Sequence, residues 1–278
     1  MNHHKPSMNF MRSLVQPSLF LIGGIIFIIW FLATPSGILG KADAIGYAVC
    51  HRIDTRSLHI GIVQLPLCAC CTGQYLGAVS GLIFLSLFRQ RCSDFPPKYI
   101  MGLLLLLILF YVVDGLNSYL SLPLYIKIFP GIPHLYQPSN VMRLFTGTGM
   151  GLVIASLLYP AFWGSILTNP DPRPVIQDLK SFIMLIGVGI LVDLLVLTGY
   201  TFVLFPAALL SAGVVLLILT VTYTILWIRI THKENQFIRV SQITLQLIGG
   251  FLVAITQIGL IDLIRFIITG TWNGLVFG

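Results

Sequence analysis

Cys50-His51 and Cys68-Ala69-Cys70-Cys71 stand sixteen residues apart and together hold four of the chain's five cysteines. Thiolate and imidazole are the ligands zinc takes in tetrahedral sites; a closed site uses four, and a catalytic site uses three with one position open. Cys50, His51, Cys68 and Cys71 are the expected ligands, and zinc is the expected ion. A Cys-His pair joined to a Cys-x-x-Cys is a weaker pattern than two Cys-x-x-Cys pairs, because chain neighbours cannot both reach one ion without a sharp bend. The pattern permits a three-ligand catalytic site or a closed site that only staples its loop. Thiol–disulfide exchange is the rival chemistry. Cys68 and Cys71 would be its reactive pair at the start of a helix, where the dipole stabilises a thiolate, and Cys50 with Cys70 would be a second pair. Arg52 and Arg56, between the two halves, suit an anionic headgroup or phosphate.

These residues must be placed by a membrane protein. Hydrophobic residues make up 56% of the chain and charged residues 9%, against about 25% charge in a soluble domain. Runs of about 20 apolar residues cross a bilayer, and seven occur, near 17–35, 73–89, 99–121, 140–168, 178–199, 203–230 and 241–269. Lys5 and Arg12 before the first run, with Ala42-Asp43-Ala44 after it, imitate a signal peptide. That run is longer than the roughly 7–15 residues of a signal core, so an anchor is expected. The expected fold is an all-α, polytopic membrane helix bundle of about seven spans. It divides into a tail and first helix (1–44), a Cys/His-motif domain (45–168) and a three-helix extension (169–278).

Lys and Arg in the loops orient such a bundle. With the N-terminus cytoplasmic, inner segments hold Lys5, Arg12, Arg89, Arg91, Lys98, Arg173, Lys180, Arg229, Lys233 and Arg239, while outer loops hold Lys41, Arg52, Arg56 and Lys127. Ten against four puts the motif loop, 36–72, outside. The net charge of +7 is then chiefly a topology signal. No basic stripe with interleaved aromatics points to nucleic acid. The expected setting is a multi-pass protein of the cell membrane, with membrane lipids and a lipid-like or quinone substrate as partners.

Charges inside spans are costly and suspect. Asp114, Arg143, Asp193, Asp262 and Arg265 all fall in the outer halves of their spans, beneath the motif loop. Asp114, Asn117 and Ser118 share one helix face, as do Arg143, Thr146 and Gly147. Ser139 or Asn140 is a good N-cap, and Gly147/Gly151 has the spacing of close helix packing. An Asp114–Arg143 pair is expected between two close helices, either catalytic or simply fixing register. Asp262 and Arg265, three residues apart, would neutralise one another. Asp193 has no evident partner. His59, His134 and His232 read as solvated loop residues, and Cys92 as an inert thiol.

Together, Cys50-His51-Arg52, Arg56-Ser57, Gln64-Leu65-Pro66-Leu67-Cys68-Ala69-x-Cys71-Thr72-Gly73-x-Tyr75-x-Gly77, Asp114-Gly115 and Ser139-Asn140-x-x-Arg143-x-x-Thr146-Gly147-x-x-x-Gly151 resemble a prokaryotic membrane-protein family, domain of unknown function 2085. The resemblance covers roughly residues 45–155. The family usually has Arg between the paired cysteines, where this chain has Cys70, which weakens any role for a cation there. The family brings no reaction with it.

His-Glu-x-x-His, Gly-x-Ser-x-Gly, Walker and dinucleotide signatures are all missing. The single glutamate is Glu234 in an inner loop, so a carboxylate base has to be an aspartate. The polar set lies at one depth and has no inner counterpart, which suits an enzyme cavity better than a conduit, and no internal repeat is seen. The leading expectation is a metal-dependent membrane enzyme acting on a lipid or isoprenoid-type substrate at the outer face. Asp114, Asn117 and Arg143 would be catalytic, and Arg52, Arg56, Ser139, Asn140 and Thr146 would bind substrate. The alternatives are a thiol–disulfide oxidoreductase using Cys68/Cys71 and a non-enzymatic component with a structural zinc site.

Overall fold

The structure, a computed structural model, describes residues 7–122, 127, 128, 131 and 135–273; Lys5 and His134 lie outside them. Eight helices are present among the described residues: α1 Ser7–Ala33, α2 Gly37–Val49, α3 Ala69–Phe88, α4 Lys98–Leu120, α5 Asn140–Ile166, α6 Leu179–Leu197, α7 Thr201–Ile230 and α8 Thr244–Thr269. Two small sheets complete the fold. β1 (Ser57–Ile60) pairs antiparallel with β2 (Val63–Cys68), and β3 (Cys92–Asp94) pairs parallel with β4 (Asp171–Pro174).

Among the described residues, six helices are long and apolar enough to cross a membrane: α3 to α7, and α8 with the short 3₁₀ turn before it. The expected first span is instead a bent pair. Phe20–Ala33 and Gly37–Val49 meet at 115°, and the count reaches seven if this pair is one span. The bend falls at Pro35-Ser36-Gly37. Proline does not continue a helix, and Gly37 takes φ +80°, which costs glycine nothing.

The segment 36–72, expected as an open loop, is folded. Ala42, Ala44, Ile45, Gly46 and Tyr47 are buried on α2, so the Ala-Asp-Ala sequence lies mid-helix with both alanines in the core. A side chain at Gly46 would meet the Pro66 carbonyl oxygen at 2.0 Å; its absence lets α2 lie flush on β2. Leu65 and Leu67 face inward, and Gln64 Nε2 donates to Arg52 O (3.0 Å) and Ser57 Oγ (2.7 Å). The Gln-Leu-Pro-Leu run is thus the brace of this hairpin.

α3 and α5 form the tightest contact in the bundle. A Cβ on Gly73 would meet Leu144 O at 2.2 Å, one on Gly77 would meet Thr148 O at 2.4 Å, and Gly147 and Gly151 would strike Cys70 O and Gln74 O at 2.1 Å. Each helix offers two glycines four residues apart, so the backbones touch. Tail, motif and extension share one core: Trp30, Ala44, Cys50, Cys68, Val215 and Ile258 belong to a single buried cluster.

Candidate metal centre and adjoining cavity

Three sulfurs meet where α2, β2 and α3 converge. The Sγ atoms of Cys50, Cys68 and Cys71 all lie within 4.8 Å of one another. Cys50 is the extended C-cap of α2, Cys68 ends β2 and N-caps α3, and Cys71 sits in the first turn of α3. That turn begins four residues before the expected span. Cys50 Sγ accepts from the N–H groups of Cys68 (3.3 Å) and Arg52 (3.4 Å). The Cys68 and Cys71 thiols donate to it as well, and they hold Cys50 well below the usual thiol range while the Cys68 thiol is pushed well above it. Arg52 takes φ +52°, a left-handed conformation that costs a non-glycine residue about 1–2 kcal/mol. This turn aims the Arg52 N–H at Cys50 Sγ.

His51 does not join the three sulfurs, which corrects the four-ligand expectation. Cys50 is extended at φ −132°, ψ 145°, so successive side chains point to opposite sides. Nδ1 of His51 accepts from the Ile53 N–H at 3.0 Å, and its ring meets Tyr119 edge-on. Burial pushes its pKa down, leaving it neutral at pH 7. Cys70 is outside the group too and turns toward Tyr111, which donates to Gln74 Oε1 at 2.9 Å.

The sulfurs border a cavity of about 380 Å³ whose polar wall is His51, Arg56, Asp114, Ser118, Tyr111, Tyr119 and Arg143. Asp114 and Arg143 both line it but do not pair. Asp114 accepts from Tyr136 OH (2.5 Å) and Thr146 Oγ1 (3.1 Å). Arg143 donates through Nε to Ser118 Oγ (2.9 Å) and through Nη1 to Asn140 Oδ1 (2.7 Å). Arg56 is buried, donates to Ser118 O and lies over the Tyr119 ring at 5.1 Å. Neither arginine has a carboxylate within 4 Å among the described residues.

The other expected site residues have partners within the protein. Asn117 Oδ1 accepts from the Leu135 N–H and its Nδ2 donates to Tyr136 O (3.0 Å), so this side chain clasps the segment that delivers Tyr136 to Asp114. Ser139 caps α5 by accepting from Met142 N–H at 3.2 Å. Asn140 Nδ2 ties the start of α5 to Thr55 O and Ser57 O. Thr146 braces Asp114. Arg52 faces away from the cavity and pairs with Asp43 at 2.6 Å. A tyrosine 22 residues from Asp114 carries no local signal, so Tyr136 emerges only from the fold.

Asp262 and Arg265 do not neutralise each other. Trp30 Nε1 donates to Asp262 Oδ2 at 2.8 Å. Arg265 Nη1 donates to the carbonyls of Tyr47 (2.5 Å) and Cys50 (2.6 Å), and its guanidinium lies 4.0 Å over the Tyr47 ring. These carbonyls end α2, where a cation satisfies orphan acceptors and complements the dipole. Arg265→Gln is expected to destabilise the fold by about 3 kcal/mol, as two buried acceptors lose a charged donor, and to speed maleimide labelling of Cys50. Unchanged melting and labelling would show that α8 does not hold the Cys50 backbone. Asp193 has a partner: Thr148 Oγ1 donates to its Oδ1 at 2.5 Å. His59 pairs with Asp54 at 2.9 Å, and Cys92 is buried in β3.

Fold and site together define a multi-pass α-helical membrane protein whose thiol cluster could hold a metal ion at the wall of a polar cavity. Residues 50–157 match the family described as "Predicted membrane protein" (DUF2085). A protein of Methanothermobacter thermautotrophicus described as uncharacterized is 29% identical over 109 residues, 39% of this chain and 83% of that relative. No solved structure matches.

Proposed function

We propose that Cys50, Cys68 and Cys71 hold one metal ion, zinc, and that the protein is a membrane-embedded enzyme acting on a lipid or isoprenoid-type substrate with an anionic headgroup. The observation that carries this reading is the shared wall: the three sulfurs border the same cavity as Asp114, Arg56 and Arg143. Zinc–thiolate bonds of about 2.3 Å in a tetrahedron set sulfurs roughly 3.8 Å apart, which a group within 4.8 Å meets with small adjustments. Cys50, Cys68 and Cys71 would hold the ion with one position open, and zinc held there by the three thiolates would supply a Lewis acid or activate a water.

The residues around it divide the remaining work. Arg56 and Arg143 are buried cations with N–H donors to spare, so an anionic headgroup would complete them. Asp114, fixed by Tyr136 and Thr146, is the base available to hold or move a proton. α4 packs chiefly on α5, and Tyr111 bridges it to α3 through Gln74. On the α4 side the cavity is bordered by Val112 and Leu116, both exposed, and by Gly115, where a Cβ would meet nothing within 4 Å. A lipid headgroup can enter sideways there while its tail stays in the bilayer. The loop-charge bias supports an outward-facing position for this end.

In nanodiscs, Asp114→Asn and Arg143→Ala are expected to lower zinc-dependent turnover of a phosphate-headed isoprenoid by about 100-fold or more, with melting temperatures near wild type. Full turnover in both variants, or unfolding of both, would overturn the enzymatic reading.

A further inference from the structure

The hairpin that ends at Cys68 has an uncovered apolar tip. Gly61 and Ile62 join β1 to β2, with Ile60 paired to Val63. Gly61 takes φ +60°, which a two-residue hairpin turn asks of its first central residue. Turns are otherwise built from Gly, Pro, Asn, Asp and Ser, yet the second central residue is Ile62, and it is 99% exposed. Val63 beside it is exposed too. Residues opposite one another in an antiparallel pair share a face. Ile60 and Val63 therefore lie on one side of the hairpin, and His59 and Gln64 on the other. The second side is polar: His59 pairs with Asp54 at 2.9 Å, and Gln64 Nε2 donates to Ser57 Oγ. The turn needs no isoleucine for its own geometry, so the apolar edge answers to something outside the hairpin.

That edge is continuous with the ends of two membrane-length helices. β1 packs on α7. Leu58 and Ile60 pack against a cluster that contains Val196, near the end of α6, and Leu204, near the start of α7. Both helices are long and apolar enough to cross a bilayer. At the same corner Tyr200 and Phe202 are exposed and stacked, with centroids 5.4 Å apart and planes 14° apart. Exposed aromatic rings at the end of a span belong at the membrane–water interface. Ile62 stands two residues from Ile60, as Phe202 stands two residues from Leu204. The tip is too small for a stable protein partner, which takes about 800 Å² from each side. A lipid surface asks only for an apolar edge to sink about 5–10 Å into the headgroup–acyl boundary.

We propose that Ile62 and Val63 dip into the bilayer beside the α6–α7 turn, so that the lipid surface is the partner of the hairpin. This contact does not depend on the metal reading. In nanodiscs, a nitroxide on Ile62→Cys is expected to collide severalfold more with dissolved oxygen, which concentrates in the bilayer, than with a nickel chelate, which stays in water. Val63→Cys should behave alike. The order should reverse at Asp54→Cys, on the polar side, where the native side chain is 76% exposed. Wild type carried through the same labelling supplies the background from native thiols. Collisions dominated by the chelate at Ile62→Cys overturn the proposal. Poor access of both reagents also overturns it, since a protein surface, such as a second copy of this chain, would then cover the tip.

Discussion

Protein purified without chelator is expected to carry about one zinc ion per chain, measured by inductively coupled plasma mass spectrometry, and Cys50→Ser, Cys68→Ser and Cys71→Ser are each expected to lose it. Loss of one of three thiolates should weaken binding by more than about 100-fold, since changes to outer partners alone cost 10–100-fold. Two variants sharpen the result. Cys70→Ser should keep the ion, because Cys70 turns toward Tyr111 and stands outside the group of three sulfurs. His51→Ala should keep it too, because Nδ1 of His51 is taken by the Ile53 N–H. Metal loss in His51→Ala would restore the four-ligand site. A wild-type protein without metal, with Cys68 and Cys71 found as a disulfide, would replace the metal reading by thiol exchange.

The second large effect is expected at the α3–α5 seam. Gly73→Val, Gly147→Val and Gly151→Val should each cost about 3 kcal/mol or more, because the new Cβ falls 2.1–2.2 Å from a backbone oxygen of the opposite helix and backbone cannot yield as a side chain can. Gly187→Ala and Gly213→Ala are the controls. A Cβ there meets nothing within 4 Å, and alanine is the better helix former, so stability should hold or rise slightly. The measurement is the unfolding midpoint in detergent. Gly147 has a further consequence: it abuts the carbonyl of Cys70, in the turn that carries Cys71. Gly147→Ala should therefore loosen metal binding before the bundle fails. Equal stability of seam and control variants would refute a backbone-to-backbone contact.

Much of this protein follows from composition and spacing. An apolar run of helical length has few options in a bilayer, because every backbone polar group must be satisfied internally; hence α3 to α8 fall within a few residues of the expected spans. Soft ligands four residues or fewer apart on one helix turn meet by local geometry, which made Cys68 and Cys71 legible. Ser139 as N-cap and Gly147/Gly151 as a packing surface are equally local. The identity of the partners was not local. Asp114 pairs with Tyr136 rather than Arg143, Asp262 with Trp30 rather than Arg265, and Arg265 reaches back to the end of α2 across 215 residues. Cys50 meets Cys68 while His51 meets Tyr119, and only the packing of α2 on β2 decides which of these chain neighbours faces Cys68. Residue types and periodicity determined the membrane bundle. The tertiary structure decided which polar groups touch, because hydrogen-bond geometry depends on helix rotation and packing that no spacing along the chain encodes.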